Sequence, residues 1–181
     1  MMLDKIQLRL ATMVEVPALE LLIADSVRGL GAGYYSHEQI ESALIHVFGI
    51  DTQLIIDGTY FVAEIDRKIV GCGGWSKRKT LFGGDQAKLN EDNLLDPKTE
   101  AARIRAFFIH PDFARRGIGK QIIEACETAA KSAGFQQLEL AATLPGEPMY
   151  RAVAYEVIER FELSFPNGTS LPLVRMGKPI K

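Results

Sequence analysis

The stretch F-F-I-H-P-D-F-A-R-R-G-I-G-K, residues 107–120, joins an apolar strand-like run to the start of a helix. Gly117 and Gly119 stand where that helix begins, with basic residues on both sides. The first N–H groups of a helix have no partner within it and lie at the positive end of its dipole, which suits a phosphate. Glycine also lets an anion come close to the backbone. The stretch therefore predicts a phosphate site, although the same glycines are also compatible with a plain helix entry.

Two common phosphate-binding motifs do not fit this stretch. A P-loop needs glycine and then Ser or Thr at the positions of Ala114 and Gln121. A dinucleotide-binding turn needs Gly or Ala where Ile122 stands, and it follows the first strand of a βαβ unit. A plain nucleotide-binding domain is therefore the least favoured function for this turn.

Upstream of the turn, the hydrophobic pattern predicts one strand, two helices and an antiparallel meander. The strand covers residues 6–10, one helix covers about Val16 to Val27, and Ser36 opens the other in a capping box with Gln39. The glycines of the last meander run predict a bulge, or a place where another backbone or a ligand comes close. The meander consists of the runs L-I-I, T-Y-F-V-A-E-I and K-I-V-G-C-G-G-W at residues 54–56, 59–65 and 68–75, with Asp57-Gly58 as a turn.

The rest of the chain alternates loops, strands and helices. Lys77 to Glu100 is charged and rich in turn residues, which predicts a surface loop or a lid. The apolar stripe from Gly117 to Ala133 gives the clearest helix in the sequence. With a strand before this helix and three strands and a short helix after it, the pattern indicates an α/β fold with a partly antiparallel sheet. The further elements are a strand ended by Pro111, a strand at 137–142, a helix at about 147–155 and two strands joined through Asn167-Gly168.

Residues 107–120 resemble the central signature of the GNAT acetyltransferase superfamily, and the order of predicted elements matches that family from Ile6 to Met176. L-E-L-A-A-T-L-P-G-E-P-M-Y-R-A-V-A-Y-E-V, residues 138–157, resembles the family's later segment. The resemblance implies a GNAT-like α/β (α+β) fold, with a mixed, mostly antiparallel central sheet of about six to seven strands flanked by about four helices. It further implies one N-acetyltransferase domain over residues 1–181.

The resemblance also implies where acetyl-coenzyme A binds. The strand that ends in Phe107 and Ile109 would pair with the pantetheine arm in the manner of an added β-strand. The glycine turn would hold the pyrophosphate through Arg115, Arg116, Gly117, Ile118, Gly119 and Lys120.

Tyr150 falls on the tyrosine that precedes a Gly-aromatic pair by four residues in the family's later segment, which implies a general acid that protonates the leaving thiolate. Three positions depart from the family pattern. Ala114 replaces a common Gln or Arg, Thr143 stands where Asn is common, and Ala154 replaces the usual glycine.

The implied activity is an acetyl-coenzyme A-dependent N-acetyltransferase that acts by direct transfer in a ternary complex. An alkyl amine arrives protonated, so a general base or a water relay is expected. The sequence does not single out this base. It also does not identify the acceptor, which we expect to be a small-molecule or peptide amine. A non-catalytic acyl-coenzyme A-binding or regulatory module is the alternative. The candidate bases are Glu64, Glu100, His110 and Glu147, and the candidate acceptor-pocket aromatics are Tyr34, Tyr35, Tyr60, Phe61 and Trp75.

Composition limits the other functional classes. The chain has 181 residues, 47% apolar and 24% charged, with a formal charge of −2, so no global positive field favours nucleic acid or anionic lipid. Cys72 and Cys126 lack the spacing of a disulfide framework or a metal site and are expected in the core. No apolar run suggests a signal peptide or a membrane span, and we expect a cytoplasmic protein without a metal. A homodimer through an open sheet edge near the C-terminal hairpin stays open.

Overall fold

A computed structural model describes residues 5–88 and 92–181, in which seven strands form one sheet in the order β1-β2-β3-β4-β5-β7-β6. Neighbouring strands are antiparallel except β4 and β5, which are parallel. This confirms the mixed, mostly antiparallel sheet. The strands are β1 (Gln7–Leu10), β2 (Tyr60–Ile65), β3 (Lys68–Ser76), β4 (Ala102–Ile109), β5 (Gln137–Ala142), β6 (Glu156–Ser164) and β7 (Ser170–Pro179). The α-helices in these ranges are α1 (Val16–Gly31), α2 (His37–His46), α3 (Thr52–Ile56), α4 (Ile118–Ser132) and α5 (Glu147–Ala152).

The expected strand at residues 54–56 is wrong, because this run lies in helix α3. The Asp51 side chain accepts a hydrogen bond from the N–H of Gln53 at 3.0 Å and caps the helix. The N–H of Thr59 donates to the carbonyl of Leu54 at 3.0 Å, and Gly58 has a φ of +71°. These features form a helix C-terminus rather than a hairpin turn. A three-residue apolar run cannot by itself distinguish the two structures.

The helices cover both faces of the sheet. Neighbouring residues of β2 point to opposite faces, so Val62 joins one buried cluster and Ala63 another. The Ala63 cluster includes the apolar stripe of α4 and Tyr150 of α5, whereas the Val62 cluster includes residues of α1 and α3. Helix α4 is the best predicted element, since its stripe is buried as expected.

A bulge interrupts the pairing of β3 with β4. Cys72 pairs with Phe108 and Gly74 with Arg105, so the single residue between them on β3 faces two residues on β4. One of these two, Ala106, has a φ of +54°. A Cβ atom on Gly73 would lie 2.7 Å from the ring of Phe107, which explains the glycine opposite the bulge. The bulge predicted from the strand glycines is thus confirmed.

Strands β4 and β5 separate shortly after they meet. Their parallel pairing covers Ala102 with Leu138 and Arg103 with Glu139. From Ile104 onward, β4 has an edge that no strand pairs with in the described part of the chain. A cleft opens at this point.

The segment from Lys77 to Glu100 contains a 3-10 helix, Asp85–Ala87, and a bridge between Arg78 and Leu94, while residues 89–91 of this predicted loop fall outside the described ranges. No α-helix in the described ranges is long and apolar enough to cross a membrane.

Candidate functional site

The cleft between β4 and β5 has a volume of about 460 Å³. Its walls include β4 from Ile104 to Ile109, the turn before α4, and the loop that leads from β5 into α5. A further wall comes from the end of α1 and from residues 81–84 of the segment that begins at Lys77. The cleft therefore joins the glycine turn to the open edge of β4, two features that the sequence analysis connected through the GNAT resemblance.

Unpaired backbone amides cluster at the glycine turn. Among the described residues, the N–H groups of residues 115–120 have no hydrogen-bond partner, and the first paired amide is that of Gln121, which donates to the carbonyl of Gly117 at 3.1 Å. Arg115 and Gly117 have φ angles of +62° and +82°. This left-handed backbone turns the chain sharply into α4. The arrangement can bind an anion through several N–H groups at a helix N-terminus.

The charged side chains of the turn divide into two groups. Arg115 and Lys120 line the cleft, as the pyrophosphate prediction requires. The guanidinium of Arg116 instead lies over the ring of Phe113, 4.9 Å from its centroid, and is outside the lining. Arg115 and Lys120 are thus the side chains best placed to support the amides.

Gly119 makes room for a neighbouring side chain as well as lining the cleft. A Cβ atom at this position would collide with the sulfur atom of Met149 on α5. A Cβ on Gly117 would meet nothing within 4 Å, but the left-handed backbone there favours glycine. Substituting either glycine therefore disturbs the protein itself and is a poor probe of ligand binding.

Tyr150 lines the cleft and is 7% exposed. Its ring packs edge-on against Phe107 and Tyr155, with centroids 6.2 and 5.9 Å apart. Burial raises the pKa of Tyr150 above its ordinary value, and the nearby Cys126 adds to the shift. The hydroxyl therefore stays protonated at neutral pH.

The two strand residues predicted to lie along the donor also line the cleft. Phe107 and Ile109 are in the part of β4 that has left β5. Every predicted site residue except Arg116 therefore contributes to one cavity.

The four candidate bases lie outside the lining of the cleft. The Nδ1 atom of His110 accepts a hydrogen bond from the N–H of Asp112 at 3.1 Å and caps the following 3-10 helix. Glu147 is paired with Arg151 and Arg160 on the surface. Glu64 pairs with Arg9 at the edge of the sheet, and Glu100 accepts from the N–H of Asp96.

Of the five candidate aromatics, two line the cleft and three do not. Tyr34 and Tyr35 line the cleft. The hydroxyl of Tyr60 donates to the carbonyl of Ala106 at 2.7 Å and thereby fixes the bulge on β4. Trp75 is buried against Phe135, while Phe61 packs on the same cluster.

A buried ion pair next to the cleft was not predicted from the sequence. Arg105 is 2% exposed, Asp51 is fully buried, and their side chains meet at 3.0 Å. Arg105 also donates to the carbonyls of Gly83 at 2.6 Å and Thr80 at 3.2 Å. Burial lowers the pKa of Arg105, and Asp51 opposes this shift. The pair ties the segment after Lys77 to β4; its partners are 54 residues apart, so no local pattern could reveal it.

The two cysteines are buried and free, as expected. Burial raises the pKa of Cys72 to about 12, so this thiol stays protonated. Among residues 5–88 and 92–181, no group of three or more His, Cys, Asp or Glu side chains could hold a metal ion.

Residues 32–154 match the model of the acetyltransferase (GNAT) family. Among curated protein sequences, none matches the chain significantly. Similar solved structures include a GCN5-related N-acetyltransferase from Rhodopseudomonas palustris, 21% identical, with a TM-score of 0.72 over 99% of this chain and 98% of the other. The PaiA N-acetyltransferase from Thermoplasma acidophilum, in complex with coenzyme A, is 15% identical, with a TM-score of 0.65 over 97% and 99%. A phosphinothricin acetyltransferase from Sinorhizobium meliloti, in complex with acetyl-coenzyme A, is 16% identical, with a TM-score of 0.62 over 97% and 88%.

Proposed function

The chain belongs to the GNAT acetyltransferase family, and on this premise we propose that it is an acetyl-coenzyme A-dependent N-acetyltransferase. It transfers the acetyl group to a primary amine, directly and within a ternary complex. Residues 1–181 act as a single acetyltransferase domain. The observation that carries the proposal is the run of unpaired amides at 115–120, placed in one cleft with the open edge of β4 and with Tyr150.

The residues present fit acetyl-coenzyme A along the length of the cleft. The amides of residues 115–120, supported by Arg115 and Lys120, would hold the pyrophosphate. The unpaired edge of β4 at Phe107 and Ile109 offers backbone groups to the amide-containing arm. When bound, acetyl-coenzyme A supplies a thioester whose acyl carbon accepts the amine. Two neighbours with 15 and 16% identity contain coenzyme A or acetyl-coenzyme A, which agrees with this choice of donor.

Tyr150 is the proposed general acid. A phenol has an ordinary pKa of about 10, while the thiol formed on transfer has a pKa of about 8.5, so the thiolate needs a nearby proton source. The buried Tyr150 keeps its proton at all pH values near neutrality, and it lines the cleft. Tyr150 then recovers a proton from the acceptor side.

The alternative is a non-catalytic acyl-coenzyme A-binding or regulatory module. One observation favours it: Glu64, Glu100, His110 and Glu147 all lie outside the lining of the cleft. Such a module would bind coenzyme A but would release no thiol in response to any amine.

A thermal-shift comparison of acetyl-coenzyme A, coenzyme A, ATP and NAD tests the donor, since a ligand of the native state raises its stability. We expect stabilisation by the two coenzyme A compounds alone. An assay for released thiol over a panel of amines then separates the enzyme from the binding module. Absence of any shift at saturating coenzyme A would contradict the proposed donor site, and a shift without thiol release would favour the module.

A further inference from the structure

We propose that the acceptor is an apolar, weakly basic amine of the arylamine class, bound between α1 and residues 81–84. This inference rests on the proposed N-acetyltransferase function and names its substrate class. It follows from the walls of that part of the cleft, from the charges that face it, and from the proton that the transfer must move.

The acceptor side of the cleft has a fixed apolar wall. The N–H of Gly84 donates to the carbonyl of Val47 at 2.8 Å, and Arg105 donates to the carbonyl of Gly83 at 2.6 Å. These bonds hold residues 81–84 against α2 and β4. An apolar ring can therefore enter a preformed space, which favours binding. The side chains that line this side are Leu30, Tyr34, Val47, Phe48, Leu81 and Phe82.

The charges that face the cleft disfavour a cationic acceptor. In the described part of the chain, its titratable lining side chains are three tyrosines, two arginines and a lysine, all neutral or positive at pH 7. Arg105 is the positive group nearest to the acceptor wall, because it is bonded to that wall at Gly83. An ammonium group there would lose hydration and would meet no carboxylate in the described lining, so its free energy would rise.

Carboxylates close to this wall already bind other groups. Asp51 accepts from Arg105 and, at 2.6 Å, from Lys88. Asp85 accepts from the hydroxyl of Thr52 at 2.8 Å. Asp51 is fully buried, Asp85 is held by Thr52, and both lie outside the lining of the cleft, so these carboxylates stabilise the wall rather than an acceptor cation.

The proton balance also favours a weakly basic amine. An alkyl amine with a pKa of about 10.4 is neutral in only about one molecule in 2,500 at pH 7, and its ammonium must first lose a proton to a base. An arylamine is neutral at pH 7. Its nitrogen forms the C–N bond with the acetyl carbon while the C–S bond breaks, and it then gives up one proton. Tyr150 gives one proton to the sulfur and then accepts the proton that the nitrogen releases, so the reaction needs no further base.

The test compares aniline with cyclohexylamine, which has a similar ring but is strongly basic, and with the dication cadaverine. Released thiol gives kcat/KM for each amine at pH 7, 8 and 9. We expect aniline to react at least about tenfold better than either alkyl amine at pH 7. Its rate should stay flat with pH, whereas that of cyclohexylamine should rise about tenfold per pH unit as its neutral form accumulates.

A matched pair of variants tests the charge argument. Leu81 lines the cleft, whereas Leu94, from the same segment, is 59% exposed and lies outside the lining. Leu81→Glu should move the ratio of cyclohexylamine to aniline rates upward by about tenfold, and Leu94→Glu should leave it unchanged. Circular dichroism spectra of both variants serve as the control for folding.

The outcomes separate this inference from the function on which it rests. If cyclohexylamine or cadaverine matches aniline at pH 7 with a flat pH profile, the arylamine class is wrong while the acetyltransferase stands. If coenzyme A binds but no amine releases thiol, the proposed function itself fails and the acceptor class fails with it.

Discussion

At the scale of single residues, the proposed general acid Tyr150 can be tested most directly. Replacing it with Phe removes the hydroxyl and preserves the ring that packs on Phe107. We expect turnover to fall about a hundredfold or more, because general acid catalysis of this kind contributes at least that much. Binding of coenzyme A, measured by calorimetry, should stay within about twofold of the parent protein, since the hydroxyl is not part of the anion site.

Tyr155 provides the matched control for Tyr150. It is equally buried, but its hydroxyl donates to Glu127 at 3.1 Å and lies outside the cleft. Tyr155→Phe should therefore lower stability slightly and leave turnover per folded molecule unchanged. Equal losses of turnover in the two variants would show that Tyr150 acts through packing.

The cationic side chains of the glycine turn should bind the donor and do little else. Arg115→Ala and Lys120→Ala should each weaken coenzyme A binding by several-fold. The effect should become smaller as salt rises, because ion pairs between these exposed side chains and the phosphates are screened. Lys131→Ala, in the last turn of the same helix, is the control and should bind normally. Affinity measured by calorimetry at two ionic strengths checks this, and salt-independent losses would place the side chains away from the phosphates.

Ala154 shows why a family position usually holds glycine. It is exposed and has a φ of +75°, a left-handed conformation that costs an L-residue about 1 kcal/mol. Ala154→Gly should therefore raise the free energy of unfolding by up to about that amount. Ala125→Gly, within α4, should lower it by about 1 kcal/mol. Urea unfolding measures both, and a loss of stability in Ala154→Gly would contradict the strain argument.

Residues that act through local chemistry could be predicted from sequence, whereas those that act through distant contacts could not. The glycine turn and Tyr150 could be predicted because their residue types and spacing match a family pattern. In the structure they line one cleft. Arg105 was not, because its role depends on Asp51, which is far away in the sequence. Arg116 fell within the motif but stacks on Phe113, since residue type alone does not give a side-chain direction.

At the scale of elements, the buried pair of Arg105 and Asp51 links β4, the cap of α3 and the segment after Lys77. Asp51→Asn keeps the shape and much of the cap but leaves the Arg105 charge buried without compensation. We expect a loss of about 3 kcal/mol in the free energy of unfolding. Glu41→Gln, which breaks an exposed pair with Arg28, is the control and should cost far less. Similar midpoints in urea for the two variants would contradict this placement.

Element type followed from sequence where the apolar period was long. Helix α4 offers four turns of stripe, so its bounds were predicted to within one residue, from 117–133 to Ile118–Ser132. Helix α3 offers only five residues, and its apolar run was assigned to a strand. Its helical state is fixed by the local Asp51 cap and by packing of Leu54 in the core, and only the second depends on tertiary structure.

At the scale of the whole molecule, the cleft is a consequence of sheet topology. The bulge at Ala106 turns β4, and the single short parallel pairing lets β5 depart from it. The glycines of β3 predicted the bulge, because Gly73 must admit Phe107. The separation of the two strands could not be predicted, because it depends on how far the pairing extends and not on any residue type along β5. The periodicity alone is compatible with several α/β arrangements, and the family resemblance is what selected one of them.

Acid stability should also be a property of the whole molecule. The pKa of Glu15 is lowered to about 2 by its hydrogen bond to Arg9, and arginine partners likewise lower the pKa of Glu41, Asp57 and Glu147. A carboxyl group whose folded-state pKa is depressed contributes stability above its unfolded pKa and loses that contribution as pH falls through its folded pKa. The free energy of unfolding should therefore drop between about pH 4.5 and pH 2.

Glu15→Gln isolates one part of this acid dependence. This variant lacks the titrating group, so its stability at pH 7 should be lower than that of the parent protein and should fall less steeply between about pH 4.5 and pH 2. The two curves should converge at the acid end, where the parent carboxyl is also neutral. Urea titrations at four pH values from neutral to about pH 2 measure this. Parallel curves throughout the range would mean that Arg9 does not hold Glu15 in its charged form, and that the junction of β1 with α1 depends on packing instead.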